Sequence, residues 1–213
     1  MTVTIEFYFD LSSPWTCLAF HNIQPIIKET GGQIIWKPFL VGGVFNAVNQ
    51  SVYAARENPD NRKFVHSFRV LKEWAALAGV AMNFPSEHHP VKSVHAMRVC
   101  CALEDDQAAL HKFATAAFNA YYADQRNLDD PAVLAAIADE VGMDGKALVA
   151  QTGEQEIKDR LRANTEEAIA RGAYGSPSIF VRGNSDDPAD ERMYFGNDQL
   201  PLVKRAINIA AKP

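Results

Sequence analysis

The sequence predicts an α/β fold in which a β-α-β unit and a β-β-α unit share one sheet, with a large helical segment inserted between them. Three observations support this prediction. The first forty residues contain two strand patterns on either side of one helical pattern. Helical periodicity then dominates residues 64–171. Two further strand patterns follow, and an amphipathic helix ends the chain.

The first unit begins with residues 2–9, where polar and apolar side chains alternate and β-branched and aromatic residues are frequent, as is typical of a strand. Ser13 and Pro14 predict a helix start, because serine is a favoured N-cap and proline suits the first helical position. Residues 33–37, followed by Pro38, predict a second strand. A helix between two strands favours a parallel pair.

The inserted segment is predicted to be helical because apolar residues recur three, four and seven positions apart over 64–75, 110–121 and 134–141. We expect these helices to cover one face of the sheet. The stretch 46–63, rich in Asn and Pro, predicts a flexible loop.

The second unit is predicted as a hairpin of residues 178–181 and 192–195, followed by a helix over about 198–211. The polar loop that joins the two strands contains Gly183, Asn184 and Pro188.

This order of elements is the thioredoxin layout. We therefore predict a single domain over residues 1–213, in which two thioredoxin-like halves, 1–45 and 172–213, flank a helical insertion over 46–171.

Composition narrows the function classes. The chain has 213 residues, of which 47% are hydrophobic and 22% charged, so it is neither a disordered chain nor a collagen-like one. A net charge of -5 argues against nucleic acid as a partner. No apolar run approaches the roughly 20 residues that span a bilayer, and the first residues lack signal-peptide features. We therefore expect no membrane partner and a cytoplasmic location.

Cysteines and histidines predict neither a disulfide framework nor a metal site. The three cysteines, Cys17, Cys100 and Cys101, suit a reducing compartment. Cys17 and the adjacent pair are interpreted as packed thiols. The neighbouring His88 and His89 lack further residues at metal-ligand spacing, so we expect no metal.

The first chemical motif occupies the strand-to-helix turn at Ser13-Pro14-Trp15-Thr16. Thioredoxin-like oxidoreductases carry Cys-Pro-x-Cys at these four places, and disulfide exchange needs both sulfurs. Here both are hydroxyls, so redox chemistry is not expected. Two interpretations remain: Ser13 donates a hydrogen bond to a ligand's thiolate at the helix N-terminus, or it is an N-cap only.

The second motif is Tyr174-Gly-Ser-Pro177, directly before a predicted strand. Thioredoxin-like folds place a cis-proline here, which lets the preceding residue, Ser176, pair through its backbone with an extended thiol peptide. An ordinary trans turn is the alternative, since few X-Pro bonds are cis. The surrounding units favour the cis form.

The third motif, Phe195-Gly-Asn-Asp198, begins the last helix. Free N–H groups there would bind a carboxylate, and Asp198 would pair with an ammonium group, as in a receptor for an amino-acid head group. Plain helix capping by Asn197 or Asp198 is the alternative interpretation.

Together these motifs resemble the kappa-class glutathione transferases and the 2-hydroxychromene-2-carboxylate isomerases, in the DsbA-like branch of the thioredoxin fold. The resemblance covers the whole chain. It rests on residues 7–14, 42–45, 84–85, 89–91, 172–177 and 194–198.

The resemblance implies glutathione as cofactor, Ser13 as the catalytic residue beside its sulfur, and a homodimer. Ser176 would pair with the cysteinyl group, and Asn197 and Asp198 with the γ-glutamyl end. The glutathione-binding residues that it implies are Ser13, Pro14, Trp15, Asn49, Lys63, Ser176, Pro177, Asn197 and Asp198.

The substrate half departs from the family pattern. Related isomerases carry Tyr and Asp on the helix after the lysine, where this chain has His66 and Val70, and Lys92 replaces an asparagine. The cations that could meet a substrate carboxylate are Lys63, Arg69 and Lys92.

The resemblance implies a glutathione-dependent cis–trans isomerase acting on an aromatic acid such as 2-hydroxychromene-2-carboxylate. A glutathione transferase and a non-catalytic module that binds thiol peptides are the alternatives. Only the transferase would consume glutathione, and the module would turn over nothing.

Overall fold

The fold is a four-stranded mixed sheet with helices on both sides. The computed structural model describes residues 3–53, 61–182 and 191–211. The strand order is β2-β1-β3-β4; β1 pairs parallel with β2 and antiparallel with β3, and β3 pairs antiparallel with β4. The strands are β1 Thr4–Phe9, β2 Gln33–Pro38, β3 Ser178–Arg182 and β4 Arg192–Phe195. The predicted thioredoxin layout is confirmed.

The helices follow the predicted order, but the predicted loop over 46–63 is helical at both of its ends. They are α1 Pro14–Thr30, α2 Val41–Val48, α3 Arg62–Ala78, α4 Val94–Ala102, α5 Gln107–Tyr122, α6 Pro131–Glu140, α7 Gly145–Gln151, α8 Gln155–Ala170 and α9 Leu200–Ala210. Residues 46–48, expected in a loop, belong to α2, because Val41 and Val44 are buried and hold this helix against the protein. Arg62 and Lys63, also expected in that loop, begin α3, because the Asn61 side chain caps the helix there.

Some predicted features lie outside the described residues. These are the first residue of the predicted opening strand, Thr2, the middle of the predicted loop, 54–60, and the hairpin loop with Gly183, Asn184 and Pro188. Among the residues that are described, no helix combines the length and hydropathy that a membrane crossing requires.

Inserted helices cover both faces of the sheet, which corrects the expectation that they would cover one. Phe7 and Phe9 of β1 pack on one side with Phe20 of α1 and with Phe118 of α5. Tyr8 points the other way and packs in a second cluster with residues of α2 and α8. Consecutive aromatic residues make β1 apolar on both faces, so inserted helices are needed on both.

An ion cluster around Arg171 lies on the same side of the sheet as Tyr8. Its guanidinium donates to Glu6 at 2.6 Å, to Glu191 at 2.7 Å and to Glu167 at 3.0 Å. It also donates to the Tyr8 hydroxyl at 2.9 Å. Arg171, Glu6 and Glu191 are each less than a fifth exposed. The cluster ties β1, the end of α8 and the start of β4 together.

Candidate active site

Ser13 joins the first motif to the second. Its Oγ accepts a hydrogen bond from the Thr16 N–H at 3.2 Å, so it is the N-cap of α1, as the sequence predicts. Its hydroxyl also donates to the backbone carbonyl of Ser176 at 3.0 Å, across 163 positions of chain. The helix start and the loop before β3 therefore meet at one side chain.

The loop before β3 is fixed by the Ser176 side chain. The Ser176-Pro177 peptide bond is cis, which confirms that prediction. Ser176 Oγ accepts from the Asp10 N–H at 3.0 Å and lies 2.7 Å from Thr16 Oγ1. Gly175 allows this loop to approach Phe195, since a Cβ at that position would lie 2.7 Å from the phenyl ring.

The Asp10 side chain joins the turn before α1 to the start of α2. Its carboxylate is fully buried and accepts from the Ser12 N–H at 2.9 Å, the Ser12 hydroxyl at 2.8 Å and the Val41 N–H at 2.9 Å. Burial raises the pKa of this carboxyl, while the hydrogen bonds from Ser12, Val41 and Ser93 oppose the rise. Sequence reasoning did not single out Asp10. The available signal was a carboxylate directly after an apolar strand.

A cavity of about 380 Å³ opens beside these loops, within the size range of small-molecule sites. One group of lining residues comes from the start of α1, the neighbouring loops and α2, and a second group comes from α3 and the segment before α4. The first group includes Ser12, Ser13, Pro14, Trp15, Asn49 and Ser176; the second includes Phe64, Ser67, Phe68, Leu71, Phe84 and His89.

Within the second group, Phe64, Phe68, Phe84 and His89 form a continuous aromatic wall. Phe64 and Phe68 have ring centroids 4.5 Å apart, and Phe68 is nearly parallel to Phe84 at 5.4 Å. His89 then packs edge-on against Phe84 at 4.5 Å, with its Nδ1 3.3 Å from the Tyr121 hydroxyl. Burial raises the pKa of Tyr121 to about 12, so this phenol stays neutral. A flat conjugated ring would fit against such a wall.

Only part of the predicted glutathione-binding set lines this cavity. Ser13, Pro14, Trp15, Asn49 and Ser176 do, and Pro177 follows directly in the chain. The Asn49 amide also donates to the Tyr174 carbonyl at 3.0 Å, which ties the end of α2 to the cis-proline loop. Lys63 is exposed in the first turn of α3, one position before Phe64.

Asn197 and Asp198 are not among the described residues that line this cavity. Asn197 is 2% exposed, and its Oδ1 accepts from the Asn22 amide at 2.8 Å, in a separate cavity between α1, α3 and α9. Asp198 is exposed beside Gly196, whose φ is 86°.

The predicted capping role for Asn197 or Asp198 is wrong. The N-cap of α9 is Gln199, two positions after Asn197. Its side chain makes no cap hydrogen bond, because Oε1 accepts the Phe195 N–H at 2.9 Å instead.

The helix positions that face the cavity differ by one from those assigned by resemblance. Ser67 and Phe68 line it, whereas His66 is exposed and Val70 is not among the described lining residues. On a helix, positions 67, 68 and 71 share a face with Phe64, so helical periodicity alone would have identified the residues that line the cavity. Arg69 forms an exposed pair with Glu73, and Lys92 is exposed. The described cavity lining therefore contains no lysine or arginine.

The thiols are packed, as the sequence predicts. Burial raises the pKa of Cys17 to about 12, and burial also raises those of Cys100 and Cys101 in α4. A thiol with so high a pKa is a poor nucleophile at neutral pH. Across the described ranges, no group of three or more residues is arranged to hold a metal ion.

We predict that the protein does not reduce insulin with dithiothreitol as electron source. Hydroxyls occupy both positions of the redox motif, and Cys17 is buried one residue further on. The turbidity assay should give the uncatalysed rate for the wild-type chain and for Cys17→Ser alike. Strong reductase activity that Cys17→Ser abolishes would instead identify Cys17 as a nucleophile.

Comparisons with known proteins agree with this fold. Residues 4–208 match the family model of the DSBA-like thioredoxin domain. The chain is 28% identical over 208 residues to a 2-hydroxychromene-2-carboxylate isomerase of Sphingobium xenophagum, covering 96% of this chain and 97% of that one. It is 24% identical to glutathione S-transferase kappa 2 of Caenorhabditis elegans, covering 93% and 89%. A solved structure of a 2-hydroxychromene-2-carboxylate isomerase superposes with a TM-score of 0.76 at 22% identity, covering 97% and 95%.

Proposed function

The chain belongs to the DSBA-like thioredoxin domain family, and from that premise we propose that it is a glutathione-dependent isomerase of an aromatic acid resembling 2-hydroxychromene-2-carboxylate. Relatives named as isomerases and as glutathione transferases support an enzyme. The observation that carries the proposal is the Ser13 hydroxyl, placed at the start of α1 and against the Ser176 carbonyl beside the cavity.

The proposed chemistry needs one ionised thiol. A free cysteine-type thiol has a pKa of about 8.5, and a helix N-terminus with a hydroxyl donor favours the thiolate. The thiolate adds to a double bond conjugated with a carbonyl, forming a C–S bond while the π electron pair moves onto the carbonyl oxygen. The former double bond is now a single bond that rotates. Elimination breaks the C–S bond, restores the double bond in the other geometry and returns the thiolate. Glutathione is therefore regenerated.

On the substrate side, the aromatic wall from Phe64 to Phe84 supports a planar conjugated substrate. We propose Lys63 as the partner of the substrate carboxylate, because it directly precedes Phe64 on α3 and its side chain is exposed. Arg69 is a weaker candidate, since it already pairs with Glu73.

A glutathione transferase is the second candidate, because the same thiolate would conjugate an electrophile and the described cavity lining offers no lysine or arginine to a carboxylate. Incubation with glutathione and 2-hydroxychromene-2-carboxylate tests both. Isomer conversion followed by absorbance, with the glutathione concentration unchanged, supports the isomerase. Stoichiometric loss of glutathione supports the transferase. Binding without either change would leave a non-catalytic thiol-peptide module.

We predict that Asp198→Ala weakens glutathione binding by about 1.5–3 kcal/mol, the usual range for a hydrogen bond to a charged group. The exposed Asp198 carboxylate would pair with the γ-glutamyl ammonium in this proposal. Asp159→Ala is the matched control, because Asp159 is an exposed aspartate on α8 that pairs with Arg162 and does not line the cavity. Calorimetry that gives equal affinities for Asp198→Ala and the wild type would remove Asp198 from the site.

The quaternary structure that we propose is the one that the family resemblance implies. We propose one domain over residues 1–213 acting as a homodimer in the cytoplasm. Light scattering of the purified chain checks the dimer, and a monomer at working concentration would contradict it.

A further inference from the structure

Thiolate addition places negative charge on the substrate carbonyl oxygen, and a fixed hydrogen-bond donor beside that oxygen would stabilise it. Two donors on the loop side of the cavity are already engaged. The Ser12 hydroxyl donates to Asp10 at 2.8 Å, and the Asn49 amide donates to the Tyr174 carbonyl at 3.0 Å. Ser13 is assigned to the sulfur in the proposed reaction. A donor for the carbonyl oxygen is therefore expected in the second group of lining residues.

The second group contains two side chains that can donate, Ser67 and His89. His89 is the stronger candidate because two contacts hold its ring in place. The ring packs edge-on against Phe84, with the centroids 4.5 Å apart, and Nδ1 lies 3.3 Å from the Tyr121 hydroxyl oxygen. Because Nδ1 faces Tyr121, Nε2 is the nitrogen that remains for a ligand in the cavity.

The Tyr121 hydroxyl can set the tautomer of this imidazole. The phenol keeps its proton, since burial raises its pKa to about 12. Its oxygen lies 3.3 Å from His89 Nδ1 and 3.4 Å from the His88 carbonyl oxygen, and a hydroxyl has one proton to donate between them. When Tyr121 donates to Nδ1, the neutral imidazole carries its own proton on Nε2.

We propose that His89 is a catalytic residue of the isomerase and that its Nε2–H donates to the substrate carbonyl oxygen. This inference rests on the proposed function. As the C–S bond forms, the π electron pair moves onto the oxygen, and the imidazole donates a hydrogen bond without giving up its proton. Elimination breaks the C–S bond and returns the electron pair, so the ring leaves the cycle unchanged. Tyr121 is a positioning residue in this scheme, because it acts only through the tautomer.

Two substitutions at one position separate donation from packing. His89→Phe keeps an aromatic ring beside Phe84 and removes both nitrogens, whereas His89→Gln keeps an N–H donor and removes the ring. The wild type and both variants are assayed with glutathione and 2-hydroxychromene-2-carboxylate, and isomer conversion is followed by absorbance. His66→Leu is the control, because His66 is exposed on α3 and does not line the cavity. Urea unfolding curves check that each variant is folded.

His89→Phe should lower kcat by about 100-fold, the lower end of the range for removing one donor from a developing oxyanion. KM should change little, since the charge on the oxygen exists only after addition. His89→Gln should be about tenfold more active than His89→Phe, the equivalent of one regained hydrogen bond. His66→Leu should keep the wild-type kcat.

The role of Tyr121 is tested by placing Tyr121→Phe in two backgrounds. In the wild type it should lower kcat by about tenfold, the equivalent of one neutral hydrogen bond. In His89→Gln it should leave kcat unchanged, because an amide has no tautomer to set. A purely structural contribution of the hydroxyl would lower kcat in both backgrounds, and the positioning role would then be wrong.

Three results would overturn the assignment of His89 while the proposed function stands, because the wild type still isomerises its substrate in each. The first is a raised KM with unchanged kcat in His89→Phe, which would make His89 a packing residue of the aromatic wall. The second is a His89→Gln variant no more active than His89→Phe. The third is a 100-fold loss in Ser67→Ala with normal turnover in His89→Phe, which would make Ser67 the donor. A wild type that converts no isomer would overturn the proposed function and this inference together.

Discussion

Replacing Ser13 with alanine is expected to lower turnover by about 10²–10³-fold, the effect of removing one hydrogen-bond donor from a stabilised anion in an active site. Glutathione affinity should change little, because a neutral hydrogen bond contributes only about 0.5–1.5 kcal/mol in the ground state. The pKa of the bound thiol should also rise toward the value of about 8.5 for a free thiol. Steady-state kinetics, calorimetry and a thiolate titration measure these three effects separately.

The loss of an N-cap must be separated from the loss of a thiolate partner. Asp144→Ala is the matched control, because Asp144 caps α7 by accepting the Ala147 N–H at 2.9 Å and does not line the cavity. Both variants should lose about 1 kcal/mol of stability from the missing cap. Only Ser13→Ala should lose turnover. Unchanged turnover and an unchanged thiol pKa in Ser13→Ala would leave Ser13 as a cap alone.

Replacing Arg171 with alanine is expected to lower the free energy of unfolding by about 3 kcal/mol, the scale for removing one partner of a buried ion pair. Glu6 and Glu191, 19% and 15% exposed, would then face each other without a cation between them. Arg182→Ala is the control, since Arg182 bonds Glu191 from a side chain that is 57% exposed. Arg182→Ala should lower the free energy of unfolding by less than about 1 kcal/mol. Urea unfolding curves compare the two variants.

The effect of Arg171→Ala should depend on pH. Burial raises the pKa of Glu191, but hydrogen bonds and charge from Arg171 and Arg182 outweigh it and leave the pKa below its ordinary value. Burial also raises the pKa of Glu167, but hydrogen bonds and charge from Tyr8, Lys37 and Arg171 outweigh it and leave this pKa below its ordinary value. A depressed folded-state pKa adds stability above the unfolded value of about 4.3, and this stability is lost as the pH falls.

The stability difference between the wild type and Arg171→Ala should therefore be largest near about pH 7 and shrink below about pH 4, where the carboxylates take up protons. Unfolding curves recorded at both pH values measure this. An equal difference at both would mean that Arg171 acts through its packing on Phe180, 4.1 Å from the ring centroid, and not through charge.

The order of elements and the chemistry of the first turn could be read from the sequence because both depend on residues close together in the chain. Alternation marks β1, and Ser13-Pro14 marks the start of α1 through a bond to Thr16, three residues away. The apolar stripe that begins at Phe64 also contained the face of α3 that lines the cavity. Family resemblance, by contrast, assigned that face to His66 and Val70, one position before the cavity-lining Ser67 and Leu71.

Other features were decided by the tertiary structure alone. The Ser13 bond to the Ser176 carbonyl spans 163 positions, and the Arg171 bond to Glu6 spans 165. The turn that places Asn197 against Asn22, away from the cavity, likewise depends on a contact across 175 positions. Local propensity determines which segments become strands and helices. Which donors and acceptors finally meet is set by the packing of distant segments, because buried polar groups must take whatever partner the fold brings within reach.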